Sequence, residues 1–426
     1  MTTLTLTATT ARSLPPTFNR LAWSNLAAQA AEQVALAAAP IVAVLTLGAG
    51  AGATGMLQMA QTLPFLVLSI PAGVLADRVS RRGLMAGAEA VRVVALVAIL
   101  LLASLGLLTW PLLAVLGFIG VCGTVAFTVA APALVPALVP GSRLAAANGR
   151  LELARTVAFV AGPALGGALV ARTGAATAFG VAAALSAWAA MLLGGLREPA
   201  RPARPASRPL DDVRQGARFV FGHPLLRPIF VTQFAFNTAF FVLQAVWVPY
   251  AVSRLGLSAT GVGATLAVYG VGLVAGALVA PAIIRVVPFG AVIAIGPVAG
   301  VVAAGVMAAT FWVPSALLAG ASFFLIGAGP VIWVISTATL RQRVTPPSLL
   351  GRASAINMLA YGARPLGAAI GAAVGALQGA EACLFVAAAG FLVQALVILT
   401  SAVPGLVRQP DAIGEPLRAC GGSGPR

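Results

Sequence analysis

The sequence predicts an all-α membrane protein with twelve transmembrane helices arranged as two pseudo-symmetric six-helix halves. Three observations predict it. Hydrophobic residues make up 60% of the 426 and charged residues 8%, against roughly 45–50% and about 25% in soluble domains. Mean hydropathy is +1.00, so the chain has too little polar surface to fold in water. The apolar residues fall into runs near the ~20 residues that a helix needs to cross a bilayer, and an arginine-rich polar stretch, 197–227, separates six runs from six.

Residues 1–20 hold Thr and Ala but no apolar core ahead of a cleavage site, so they read as a cytoplasmic segment and not as a signal peptide. The N-terminal half, 21–196, follows. Span one (21–47) carries Asn25, Gln29, Glu32 and Gln33 on one helical face. Span two (54–76) does the same with Gln58, Gln61, Thr62, Phe65 and Ser69. The charged turn after it, Gly73 to Arg82, contains Asp77, Arg78, Arg81 and Arg82, and Asp77 is its one anion. Span three (83–105) pairs Glu89 with Arg92, while span four (110–135) has no charge from Leu112 to Leu134. Span five (146–171) pairs Glu152 with Arg155, and span six (174–196) is apolar apart from small hydroxyls.

The linker 197–227 opens with alternating Arg and Pro, which resist helix. Asp211 to Phe221 then has the pattern of a short amphipathic helix on the membrane surface. The C-terminal half, 228–403, holds spans 228–253, 258–284, 289–311, 314–338, 350–377 and 381–403. Polar stripes recur there as Gln233, Asn237 and Gln244, and as Asn357, Tyr361 and Arg364. Residues 404–426 form a tail. The halves echo each other. Asn25, Gln29 and Pro40 match Gln233, Asn237 and Pro249 in spacing, and Gly162-Pro163 matches Arg364-Pro365. Duplicated transporter folds show such echoes and bind substrate between the halves near the midplane.

The net charge of +16 comes wholly from arginine, without a lysine. Its placement argues against a nucleic-acid partner. Arg12, Arg20, Arg78, Arg81, Arg82, Arg143, the linker arginines, Arg285, Arg341, Arg343, Arg352 and the tail share one side, while Arg172 and Arg254 lie at the other. The positive-inside rule then sets both termini in the cytoplasm of an inner-membrane protein. No P-loop is possible without lysine, which removes direct ATP drive. His223 has no companion for zinc, and Cys122, Cys383 and Cys420 are too scattered for a disulfide framework, so no cofactor or metal is expected. No nucleophile–base pair of an intramembrane hydrolase is visible, and the chain is read as a non-enzyme.

Polar groups inside a membrane must face protein or a watery cavity. The stripe residues are therefore candidates for a substrate cavity, with Phe240, Phe241, Trp247, Tyr269 and Trp333 as its aromatic wall. Glu32 lies about 16 Å into its span at 1.5 Å per residue. Desolvation there favours a neutral carboxyl, making Glu32 the candidate proton site; the competing reading is a permanent ion pair with Arg92 or Arg155.

Two motifs resemble the major facilitator superfamily. Gly73-x-x-x-Asp77-Arg78-x-x-Arg81-Arg82 is similar to its loop between spans two and three. Gly149, Gly162, Pro163, Gly166 and Gly167 follow the antiporter pattern of span five, with Ala158 as the departure. Glu32, the Glu89/Arg92 pair and Leu350-Gly351-Arg352 resemble the branch of enterobactin exporters and macrolide efflux proteins, whereas the arginine of the family's fourth-span motif is missing. The resemblance covers nearly the whole chain. It implies the major facilitator fold, with Asp77 set against the start of span eleven near residues 351–355, Arg78 and Arg81 bracing the same cytoplasmic gate, and Gly73 letting spans two and eleven touch.

The expected protein is a monomeric proton antiporter that exports a small amphipathic compound, such as a drug, siderophore or other secondary metabolite, by alternating access. An importer or uncoupled facilitator on the same fold is the alternative. A non-transporting membrane sensor or scaffold is the more distant one, since no extramembrane domain is visible.

Overall fold

The computed structural model describes residues 15–140, 144–198, 209–346 and 349–410. Cys420 lies outside them, as do the side chains of Asp77, Arg78 and Ser69. Helices of the first half are α1 (Pro16–Leu45), α2 (Ala51–Arg78), α3 (Arg81–Ser104), α4 (Trp110–Leu138), α5 (Leu144–Thr173) and α6 (Ala175–Gly194). The linker contributes α7 (Pro209–Gly222). There follow α8 (Leu226–Ser253), α9 (Ala259–Val286), α10 (Phe289–Ala309), α11 (Ala316–Val344), α12 (Leu350–Leu359), α13 (Ala363–Gln378) and α14 (Ala380–Leu399). Among the described residues ten helices are long and apolar enough to cross a membrane. Helix α2 and the α12–α13 segment run in the places of the other two predicted spans.

Span eleven is not one helix. A 3₁₀ turn at Ala360–Gly362 divides it into α12 and α13. Pro365 explains the break, because it cannot donate to the carbonyl of Tyr361 and its ring crowds that turn. Prolines Pro40, Pro163 and Pro249 lie inside α1, α5 and α8 without interrupting them.

Helices α1 to α6 pack on one another, as α8 to α14 do, and α2 against α13 and α5 against α9 join the two sets. The C-terminal set has a core around Trp247, Tyr250, Phe323 and Phe391. Its Tyr250 hydroxyl is satisfied by Thr310 Oγ1 at 2.8 Å. The first set has two cores, one around Phe18, Met85 and Phe127 and the other around Val42, Leu96 and Phe179.

The helix ends define two faces. The near face carries the α2–α3 turn and the α6–α8 connection; the far face carries the turns at 46–50, 105–109, 174, 254–258, 310–315 and 379. Gly174 and Gly379 reverse the chain in a single residue each, at φ of 88° and 87°, a backbone region that side-chain-bearing residues rarely enter. They occupy matching positions after α5 and α13, so the echo between halves extends to the turns.

On the near face, Ser80 caps α3 by accepting the Gly83 N–H at 3.0 Å. Its hydroxyl also donates to Glu198 Oε2 at 2.7 Å, and Glu198 accepts the backbone N–H groups of Arg81 (3.3 Å) and Arg82 (3.0 Å). A carboxylate thus sits on the free donors of a helix N-terminus, where the dipole favours an anion. Arg82 in turn donates to the carbonyls of Leu193 and Gly194, and Arg20 to that of Gly195, closing the C-terminus of α6. Glu198 thus adds a carboxylate to the turn whose own sequence supplies Asp77, arriving from 116 residues or more away. Glu198→Ala should destabilise this cap by about 1 kcal/mol. Hydrogen exchange at residues 81–84 should then quicken about fivefold, with transport little changed.

Candidate functional site

Between the two helix sets lies a cavity of about 440 Å³, with contributions from α1, α2, α5, α8, α9, α10, α11 and the α12–α13 break. The helical spacing that aligned polar residues in sequence carries most of them to it. Glu32 and Gln33 of α1, Gln58 and Gln61 of α2, Gln233, Asn237 and Gln244 of α8, Tyr361, and Arg364 of α13 all line it. So do Pro163 and Arg155 of α5. Phe240, Phe241, Trp247, Tyr269 and Trp333 form part of its wall.

Three of the expected cavity residues lie elsewhere. Asn25 is buried and its amide donates to the Leu151 carbonyl at 3.2 Å, tying α1 to α5. Gln29 and Asn357 are also outside the lining. A residue facing a neighbouring helix and one facing a cavity share the same period, which is why spacing did not separate them. Phe159, Phe236 and Gln394 do line the cavity and were not singled out. Isolated aromatics in apolar runs carry no sequence signal of which way they point, whereas Gln394 is the lone amide in its span and forms no stripe.

The charges in the membrane interior divide sharply. Glu89 and Arg92 are a buried pair at 2.8 Å. Ser186 donates to the carboxylate, and the guanidinium reaches the Ala28 carbonyl and the Thr124 hydroxyl. Glu152 and Arg155 pair along α5. Both arginines named as partners for Glu32 are therefore engaged by carboxylates three residues away on their own helices. Glu32 makes no hydrogen bond or ion pair with the described residues, and it faces the cavity. It also borders a second, smaller cavity of about 40 Å³ shared with Arg92, Gln61 and Thr124. That is room for roughly one or two waters.

Arg364 is held differently. Its Nε donates to Asn237 Oδ1 at 3.2 Å. The guanidinium carbon lies 4.4 Å from the ring centre of Tyr361, 5.4 Å from that of Phe241 and 5.8 Å from that of Phe65. Tyr269 stacks on Phe240 and packs on Phe159, both at 5.5 Å. Three buried polar atoms around the cavity have no partner among the described residues: Gln61 Oε1, Trp247 Nε1 and Trp333 Nε1. Such groups are satisfied by water or by ligand.

The glycines of span five act as packing surfaces. A Cβ at Gly162 would fall on the Gln33 side chain, and one at Gly166 would meet the Val34 carbonyl of α1 at 2.9 Å. Gly167 faces the other set, against Ala259 and Gly263 of α9. Toward the far face, a Cβ at Gly52 would sit 2.8 Å from that of Ala376. The sets are thus closed on each other at the far face. Gly149 lies in α5, outside the residues whose packing is described, and Gly73 likewise in α2. The start of α12 packs on the linker helix, with Gly216 of α7 against the Arg352 carbonyl.

Comparison with known proteins agrees with this architecture. A family model described as Major Facilitator Superfamily matches residues 21–372. The multidrug efflux pump Tap of Mycobacterium tuberculosis (strain ATCC 25618 / H37Rv) is 28% identical over 241 residues, 53% of this chain. The chain spans 56% of that pump's length in the match. A crystal structure of a POT family transporter in complex with 5-aminolevulinic acid superposes with a TM-score of 0.72 at 13% identity, covering 92% of this chain and 96% of that one. A bacterial homologue of the iron transporter ferroportin, in an inward-facing state, gives 0.71 at 16% identity, over 91% and 99%. The chain belongs to the major facilitator superfamily and is a multi-pass membrane protein.

Proposed function

We propose that this transporter exports a small amphipathic organic compound in exchange for protons, with Glu32 as the proton site. The observation that carries the reading is the state of the intramembrane carboxylates: Glu89 and Glu152 are paired, while Glu32 faces the cavity without a hydrogen bond or ion pair among the described residues. A carboxyl so placed can take a proton from one side and release it when its surroundings change. The small cavity behind it has space for the water that would carry that proton. Export is supported by the likeness to an efflux pump over half the chain and by the glycine pattern of α5.

In this reading the halves 21–196 and 228–403 rock about the cavity as a monomer, with the near face toward the cytoplasm and both termini there. Asp77, Arg78 and Arg81 act at the gate on that face. The testing experiment is substrate flux in proteoliposomes of known orientation under an imposed pH difference. Accumulation driven by protons moving the opposite way supports the reading. Flux indifferent to the pH difference makes the protein a facilitator, and co-directional flux makes it an importer.

A further inference from the structure

We propose that the cavity is built for an amphipathic zwitterion whose anionic group binds Arg364 and whose cationic group binds Glu32. This rests on the transport reading above. Arg364 is the starting point. A guanidinium offers five N–H donors, and among the described residues the one bond it makes is to the neutral oxygen of Asn237. No carboxylate pairs with it there, in contrast to Arg92 and Arg155. The rings of Tyr361, Phe241 and Phe65 favour a cation and hold it in place. They do not cancel its charge. A desolvated guanidinium held in this way is prepared for a planar anion such as a carboxylate, which it can bind bidentately.

Glu32 supplies the opposite charge in the same cavity. Both groups line this cavity, and among the described residues they form no ion pair with each other. A neutral ligand would leave both charges unmet, and a simple ion would leave one. In the same cavity the stacked Phe240 and Tyr269 add apolar lining for the body of the ligand. The sign of coupling also selects the class. A cationic group at Glu32 competes with the proton there, as exchange requires. A purely anionic ligand would bind best when Glu32 is protonated, and so would travel with the proton.

The test is equilibrium binding to the full chain in nanodiscs, with no proton gradient. The probes are two aromatic zwitterions, norfloxacin and Nε-dansyl-lysine, each beside its methyl ester, which keeps the amine and lacks the carboxylate. The wild type should bind at least one acid tenfold or more tightly than its ester. Arg364→Gln should bring the acid down to the ester while leaving the ester unchanged, and Arg364→Lys should restore part of the preference. The proposal is overturned if the wild type binds no acid better than its ester, or binds neither pair. It is overturned equally if Arg364→Gln keeps the preference, or if both variants lose acid and ester alike. Because no gradient is applied, failure of proton-driven flux leaves this result standing, and the reverse holds.

Discussion

A Glu32→Gln transporter is expected to exchange substrate across a vesicle membrane but to lose accumulation driven by a pH difference. Glutamine keeps the size and polarity of a protonated glutamate and cannot release a proton. The cavity would be held in the state that the protonated wild type visits only for part of its cycle. Exchange needs no change of protonation, so counterflow of labelled substrate should persist once the substrate concentration is raised to offset the lost charge contact at position 32. Net pH-driven uptake should fall at least tenfold. The buried pairs make this outcome specific. Glu89 already has the Thr124-anchored guanidinium of Arg92 and the Ser186 hydroxyl around it, so it is not free to take over from Glu32. Full pH-driven uptake by the variant would remove Glu32 from the mechanism.

Gly263→Val should drive the two helix sets apart at the far face. A Cβ on Gly263 would lie 2.6 Å from the Pro163 carbonyl oxygen and 3.1 Å from the Gly167 Cα. Both are backbone atoms, with no flexible side chain to yield. Overpacking of this kind costs about 1–3 kcal/mol, and each 1.4 kcal/mol is about tenfold in population. The closed far face should thus become about 5- to 140-fold less populated relative to the open one. Spin labels at Thr46 and Leu377, exposed at the far tips of α1 and α13, report the separation. Their distance distribution should gain a longer component in the variant, and transport should fall with it. An unchanged distribution would mean that α5 and α9 do not seal that face.

The membrane architecture was legible because hydrophobic length and arginine placement are local properties of the chain. Helix ends were less so. Helix α1 begins at Pro16 and α11 runs to Val344, beyond the apolar runs, because a helix continues past the hydrocarbon wherever its polar residues find partners. The division of span eleven was available from Pro365 but is masked by the long apolar run around it. Polar stripes led to the cavity residues of α2 and α8 and misassigned Asn25, whose partner Leu151 lies 126 residues away. Ion pairing followed local spacing, so that Glu89 took Arg92 and left Glu32 alone. Glu198 looked like one more linker charge until the fold brought it to the start of α3.

The turns of the far face, from one residue at Gly174 and Gly379 to six at Thr310–Ser315, have a practical meaning for anything approaching from that side. A protease must draw an extended stretch of chain into its cleft, and an antibody needs protruding loops to grip. Neither finds such a segment among these turns. The intact protein in a sealed vesicle should therefore resist digestion from the far side, and a binder raised against that face would have to reach down into the opened cavity.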